Sequence, residues 1–185
     1  CACLVGSEMC IRDRLDNGLA DFGVLVQPTD MSRYDFLPLP TGDPMGLLMR
    51  YDHPLATRES IHPKDLADVP VIVPQGVLNR RDLSGWYKSG NKELNIVGTM
   101  NLLYNASCFV QEGYGCAICL QGLVDTSWES GLVFQPLDPP MQTHLAIAWK
   151  KSQPPTPAAD AFLTELRSVI ADINRDNKES VPSPR

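Results

Sequence analysis

The most chemically suggestive run in this 185-residue chain is Cys116-Ala117-Ile118-Cys119. Two thiols separated by two residues have the spacing of a dithiol redox centre and of one half of a zinc site. A redox pair of this kind sits at a helix N-terminus, where the dipole lowers the thiol pKa. Here the pair lies inside an apolar run that reads as a strand, with no second ligand pair nearby. The two cysteines are therefore expected to be small buried hydrophobes. The three histidines, His53, His62 and His144, are far apart, two of them directly before prolines, and form neither an HxxxH nor an HxH pattern. No metal site is expected from them. A G-x-S-x-G elbow, a P-loop and a G-x-G-x-x-G turn are all missing, and the carboxylates fall mostly on loops and exposed helix positions. No catalytic residue, metal or cofactor is expected.

The stretch from Asn95 to Ser107, NIVGTMNLLYNAS, has a different character. A strand ends at Gly98, and the small polar residues Thr99 and Asn101 open a helix. The free N–H groups of a helix N-terminus, with the positive end of its dipole, suit a carboxylate or another anion. In open α/β sheets, ligands bind outside the carboxyl ends of strands. The competing explanation is plain capping by Thr99 or Asn101, with no ligand.

These residues need elements to hold them. Asp21–Val26 reads as a buried strand. Two strands follow, in Tyr34–Pro40 and Met45–Tyr51, broken at Thr41-Gly42-Asp43-Pro44. A short helix starts at Pro63, and Pro70 stops it. Val71–Val73 is a strand, Arg80–Ser89 a helix ended by Gly90, and the run from Glu93 to Thr99 another strand. Leu102, Leu103, Ala106, Phe109 and Val110 recur at helical spacing, giving a helix over 101–112. Strands over 114–120, 132–137 and 143–151 come next. Thr156 caps and Pro157 opens a last helix, whose stripe is Phe162, Leu163, Leu166, Val169, Ile170 and Ile173. Beyond Asn174 the polar tail, 175–185, is expected to be disordered. Strands alternating with helices predict an α/β fold with largely parallel sheet. The 43% hydrophobic and 21% charged content is that of a chain able to bury a core. No apolar run approaches the about 18 residues of a membrane span. A net charge of −6 argues against nucleic acid as a direct partner.

Several segments, in this order, resemble the LysR-type transcriptional regulators. They are LDNGLADFGVLV (15–26), LLMRYDHPLATRESIHPKDLADVPVIV (47–73), NASCFVQEGYGCAICL (105–120), and GLVFQPLDPP (131–140) with HLAIAWKKSQPPTPAADAFLTEL (144–166). Gln121 stands where that family commonly has Pro, and Glu112 where a small residue is usual. The resemblance covers Leu15 to Asn174. It implies an effector-binding domain of two α/β lobes similar to type 2 periplasmic binding proteins, with a cleft between them. Lobe II would be 43–142, and lobe I would comprise 15–42 plus 143–174.

In such regulators a winged helix-turn-helix, a linker helix and lobe I's first strands precede the segment at Leu15, so lobe I is expected to be incomplete here. Residues 1–14, which hold Cys1, Cys3 and Cys10, resemble translated sequencing-adapter contamination and are expected to be non-native. The other reading is an amphipathic segment with Ile11 and Leu15 on one helix face.

The resemblance further implies a cytoplasmic sensor rather than an enzyme. It would bind a small, carboxylate-bearing metabolite and form a dimer or tetramer when intact. It would meet DNA only through the missing N-terminal domain, and no membrane. Asn101 matches the polar residue that commonly meets effector in this family, flanked by Thr99 and Met100. Val26 and Gln27 lie at the end of the lobe I strand facing the cleft. An apolar Val26 with Met100 points to a partly hydrophobic effector. The alternative is a periplasmic solute-binding protein of the same topology, which would need a signal peptide and often carries disulfides.

Overall fold

The structure is a computed structural model that describes residues 8–27, 29–75, 85–87 and 94–179. The chain divides into two compact units, Cys1–Gly42 with His144–Arg185 as unit 1, and Asp43–Thr143 as unit 2.

In unit 1, α1 (Glu8–Asp16) lies against β1 (Gly23–Val26). Ile11 and Leu15, one turn apart, meet β1 where Gly23 lacks a side chain: a Cβ there would stand 2.6 Å from Ile11 Cγ2. Leu15, Leu25, Tyr34 and Ala148 close this core. Asp16 ties the helix down. It accepts from the Tyr34 hydroxyl at 2.8 Å and pairs with Arg33 at 2.8 Å, while its backbone carbonyl takes the Lys150 ammonium at 2.5 Å. β1 pairs antiparallel with β7 (Gln142–Lys150), Val26 opposite Leu145.

The last helix, α3 (Pro157–Glu179), starts as its sequence dictates, with the Ala159 N–H donating to Thr156 Oγ1 at 3.2 Å. Leu163 and Ile170 of its stripe are buried, and so is Ala159 in its first turn. Phe162 packs on Phe22 with ring centroids 5.1 Å apart, yet stays 48% exposed. The helix runs past Asn174 to Glu179, which corrects the expected start of disorder at 175. Residues 175–179 contain neither Gly nor Pro, and Arg, Lys and Glu are good helix formers. An Asp172–Arg175 ion pair (3.3 Å) spans the junction. Residues 180–185 of that tail lie outside the described residues.

β2 (Tyr34–Arg50) is one unbroken strand of 17 residues, where two were predicted. The TGDP sequence does not turn because Pro38, Pro40 and Pro44 push Leu37, Leu39 and Asp43 into extended geometry.

Unit 2 is built on β3 (Val71–Pro74), β4 (Ile96–Met100), β5 (Cys116–Leu120) and β6 (Leu132–Pro136), together with the second half of β2. β3 pairs in parallel with β4 and β5, while β2 pairs antiparallel with β5 and β6. The sheet is thus mixed rather than largely parallel. Parallel pairing is confined to β3 with its neighbours β4 and β5 among the described pairs, and β2 runs antiparallel to β5 and β6. Two cores face opposite sides of this sheet. One holds Leu47, Met49, Val71, Val73, Cys116 and Ile118; the other holds Leu48, Ile72, Ala117 and Cys119 under α2 (Leu103–Gln111). Of the helix predicted over 80–89, residues 85–87 are described and helical, with Trp86 Nε1 donating to the Pro139 carbonyl at 2.7 Å. The remainder lies outside the described residues.

Candidate functional site

Cys116 and Cys119 do not face each other. Side chains alternate along a strand, so residues three apart point to opposite faces. Cys116 belongs to the core with Leu47 and Ile118, and Cys119 to the core beneath α2. One metal ion or one disulfide cannot take both from these positions. Burial pushes the Cys116 thiol up to about 11 and the Cys119 thiol up to about 12, which removes the thiolate that reactivity needs.

The histidines stand on separate elements. His53 Nδ1 accepts the Leu55 N–H at 3.2 Å, and burial pushes its pKa down. His62 Nδ1 lies 3.4 Å from Asp138 Oδ2. His144 opens the part of β7 that belongs to unit 1.

At the β4–α2 junction, the capping explanation does not hold. The residue at the N-cap is Leu102, with φ −133° and ψ 118°, and no side chain caps the helix. Thr99 and Asn101 are exposed, and among the described residues neither side chain makes a hydrogen bond. Among the described residues the early N–H groups of α2 therefore keep no side-chain acceptor, while their dipole end stays positive. Met100 is half-buried and packs with Leu103 at the margin of the core under α2. Met100 lies opposite Pro74 in the parallel β3–β4 pair, so the exposed Gln75 leaves its strand at the same end of the sheet. Gln75 was not singled out from the sequence; the available signal was a polar residue closing a β-branched run, as Thr99 does.

The structure brings Thr99, Met100 and Asn101 together on unit 2. It places Val26 and Gln27 at the carboxyl end of β1 on unit 1, where the Gln27 N–H donates to the His144 carbonyl at 2.8 Å. The Thr99 hydroxyl and the Asn101 amide are neutral donors, of the kind from which a small anion or carbonyl accepts.

Residues 5–171 match the family model described as the LysR substrate binding domain, and the chain belongs to that family. It is 26% identical over 161 residues to the uncharacterized HTH-type transcriptional regulator YvbU of Bacillus subtilis (strain 168), covering 86% of this chain and 54% of that protein. The chain thus spans about half the length of the curated relative it matches. A putative LysR family transcriptional regulator from Pseudomonas aeruginosa superposes with a TM-score of 0.72 at 20% identity, over 90% of this chain and 59% of that one. The effector binding domain of QuiR in complex with shikimate gives 0.71 at 21% identity, over 86% of this chain and 76% of that one. The fold is the mixed α/β, two-lobe, periplasmic-binding-protein-like fold of LysR effector-binding domains.

Proposed function

We propose that this chain is the sensing part of a bacterial, cytoplasmic transcriptional regulator, without enzymatic activity. It binds a small carboxylate-bearing metabolite and thereby controls DNA binding by a winged helix-turn-helix elsewhere in the intact protein, which works as a homo-oligomer. The proposed effector contacts are Thr99, Met100 and Asn101 on unit 2, and Val26 and Gln27 on unit 1. The observation that carries this reading is the α2 N-terminus. Its cap residue is Leu102, and the Thr99 and Asn101 side chains beside it have no hydrogen-bond partner among the described residues. An acceptor from outside satisfies donors that the described residues leave open. Shikimate, the ligand of the QuiR domain, is a small carboxylate and supports that ligand class here.

A ligand shifts a regulator only through its differential affinity for two states. The test is Asn101→Ala in the intact regulator, read as an effector dose–response of a reporter and as the thermal midpoint of the domain. The expected result is a weakened response at an unchanged midpoint. An unchanged dose–response removes Asn101 from the site.

A further inference from the structure

We infer that His144 is an additional effector-contacting residue on unit 1, a specificity determinant that donates an imidazole N–H to the effector beside Gln27. The inference rests on the proposed role of the β1 end. The register of the β1–β7 pair sets Val26 opposite Leu145, and hence Gln27 opposite His144. The Gln27 N–H···O=C His144 bond of 2.8 Å marks these two as directly facing residues. Directly opposed residues of an antiparallel pair project from the same face, with Cα atoms about 5.5 Å apart in a hydrogen-bonded pair. Two polar side chains therefore stand side by side where β1 ends.

Leu25 and Ala146, the preceding pair on that face, are fully buried, whereas Gln27 is half-buried and His144 exposed. The face changes there from packed core to open polar surface. Neither the Gln27 amide nor the His144 imidazole makes a hydrogen bond or ion pair among the described residues. His53 and His62, by contrast, are engaged with Leu55 and Asp138.

An imidazole carries an N–H donor whether neutral or charged, and the Gln amide brings two more. Together they form a donor pair for one carboxylate or one sugar-like hydroxyl. Losing a hydrogen bond to a charged group costs about 1.5–3 kcal/mol, so His144→Ala should weaken a carboxylate probe by about tenfold to a hundredfold. His144→Gln, which keeps a donor, should recover part of that loss.

The experiment is a titration of the full 185-residue chain with acetate, benzoate and shikimate in turn, followed by the NMR signals of the three histidine rings and of the Asn101 side-chain amide. The proposal expects a saturable shift of the His144 ring for at least one probe, with His53 and His62 unmoved. It also expects His144→Ala to raise the apparent Kd for that probe while the Asn101 signal still responds. Saturation at Asn101 with a still His144 ring overturns this inference and leaves the reading of the α2 end standing. Saturation at His144 alone sustains it and removes Asn101. No saturable shift at either with any of the three probes overturns both.

Discussion

The ring of Phe134 occupies the space where Gly46 has no side chain. A Cβ on Gly46 would lie 2.2 Å from Phe134 Cζ and 2.5 Å from the Gln135 carbonyl oxygen. β2 and β6 face each other at this point, with Gly46 opposite Pro136 and Leu48 opposite Phe134. The close approach is thus a matter of both a movable ring and a fixed backbone atom. Gly46→Ala should destabilise unit 2 by about 3 kcal/mol, the upper end of what overpacking costs. Urea unfolding measures it. Phe134→Leu should relieve only part of the loss, because the carbonyl contact stays; full relief by Phe134→Leu would contradict the geometry.

Cys116 and Cys119 should resist alkylation in the native protein at mildly alkaline pH, while the exposed Cys108 reacts. Counting labelled thiols by mass before and after denaturation checks this. Modification of Cys119 at the rate of Cys108 would overturn its placement under α2.

The same burial makes stability pH-dependent. Both thiols titrate higher in the folded chain, at about 11 and about 12, than the ordinary value of 9.0. Above pH 9 the unfolded chain loses these protons first. The contribution is therefore fully present below that pH and is lost as pH climbs towards 11 and 12, with a slope of about 1.4 kcal/mol per pH unit per thiol. The Cys116→Ala/Cys119→Ala double variant should show a shallower alkaline decline in urea melts, and an equal decline would refute the assignment.

Thr156 accepts the N–H of Ala159 and begins the 23-residue helix α3. Thr156→Ala should cost about 1 kcal/mol, and Thr156→Asp should restore most of it. The thermal midpoint of the two variants decides. Equal midpoints for wild type and Thr156→Ala would mean that the cap contributes nothing.

Trp86 Nε1 donates to the Pro139 carbonyl at 2.7 Å from within the core that holds Tyr87 and Leu66. Trp86→Phe keeps an aromatic ring but removes that hydrogen bond, and the exposed Pro139 leaves its carbonyl within reach of water, so a loss of about 1 kcal/mol is expected in chemical denaturation. A neutral substitution would mean that the bond contributes nothing beyond what water supplies.

What was legible in the sequence had a local physical signature. Thr156-Pro157 announced a helix start because capping and a fixed proline φ act within one turn. The character of Cys116 and Cys119 was legible from the apolar run around them. The two-lobe fold came through the order of four family segments, not through any single one. The run from Tyr34 to Tyr51 misled because glycine and proline usually punctuate, whereas here the prolines reinforce extension. The true cap of α2 was hidden as well. Asn101 is the residue type that caps, but the helix begins two residues later at Leu103, and backbone geometry rather than residue type decides that. His144 was silent, since its register with Gln27, 117 residues away in sequence, is written in no short window.

β5 works as a ruler. Its buried residues beneath α2 are Ala117 and Cys119, both small, while Cys116 and Ile118 fill the other side. Side-chain size on one strand face thereby fixes the height at which Ala106 and Val110 let the helix rest. The proposed anion-binding end of α2 rides on that height. Bulk added at the buried Ala117 would lift the helix and shift that proposed end from below.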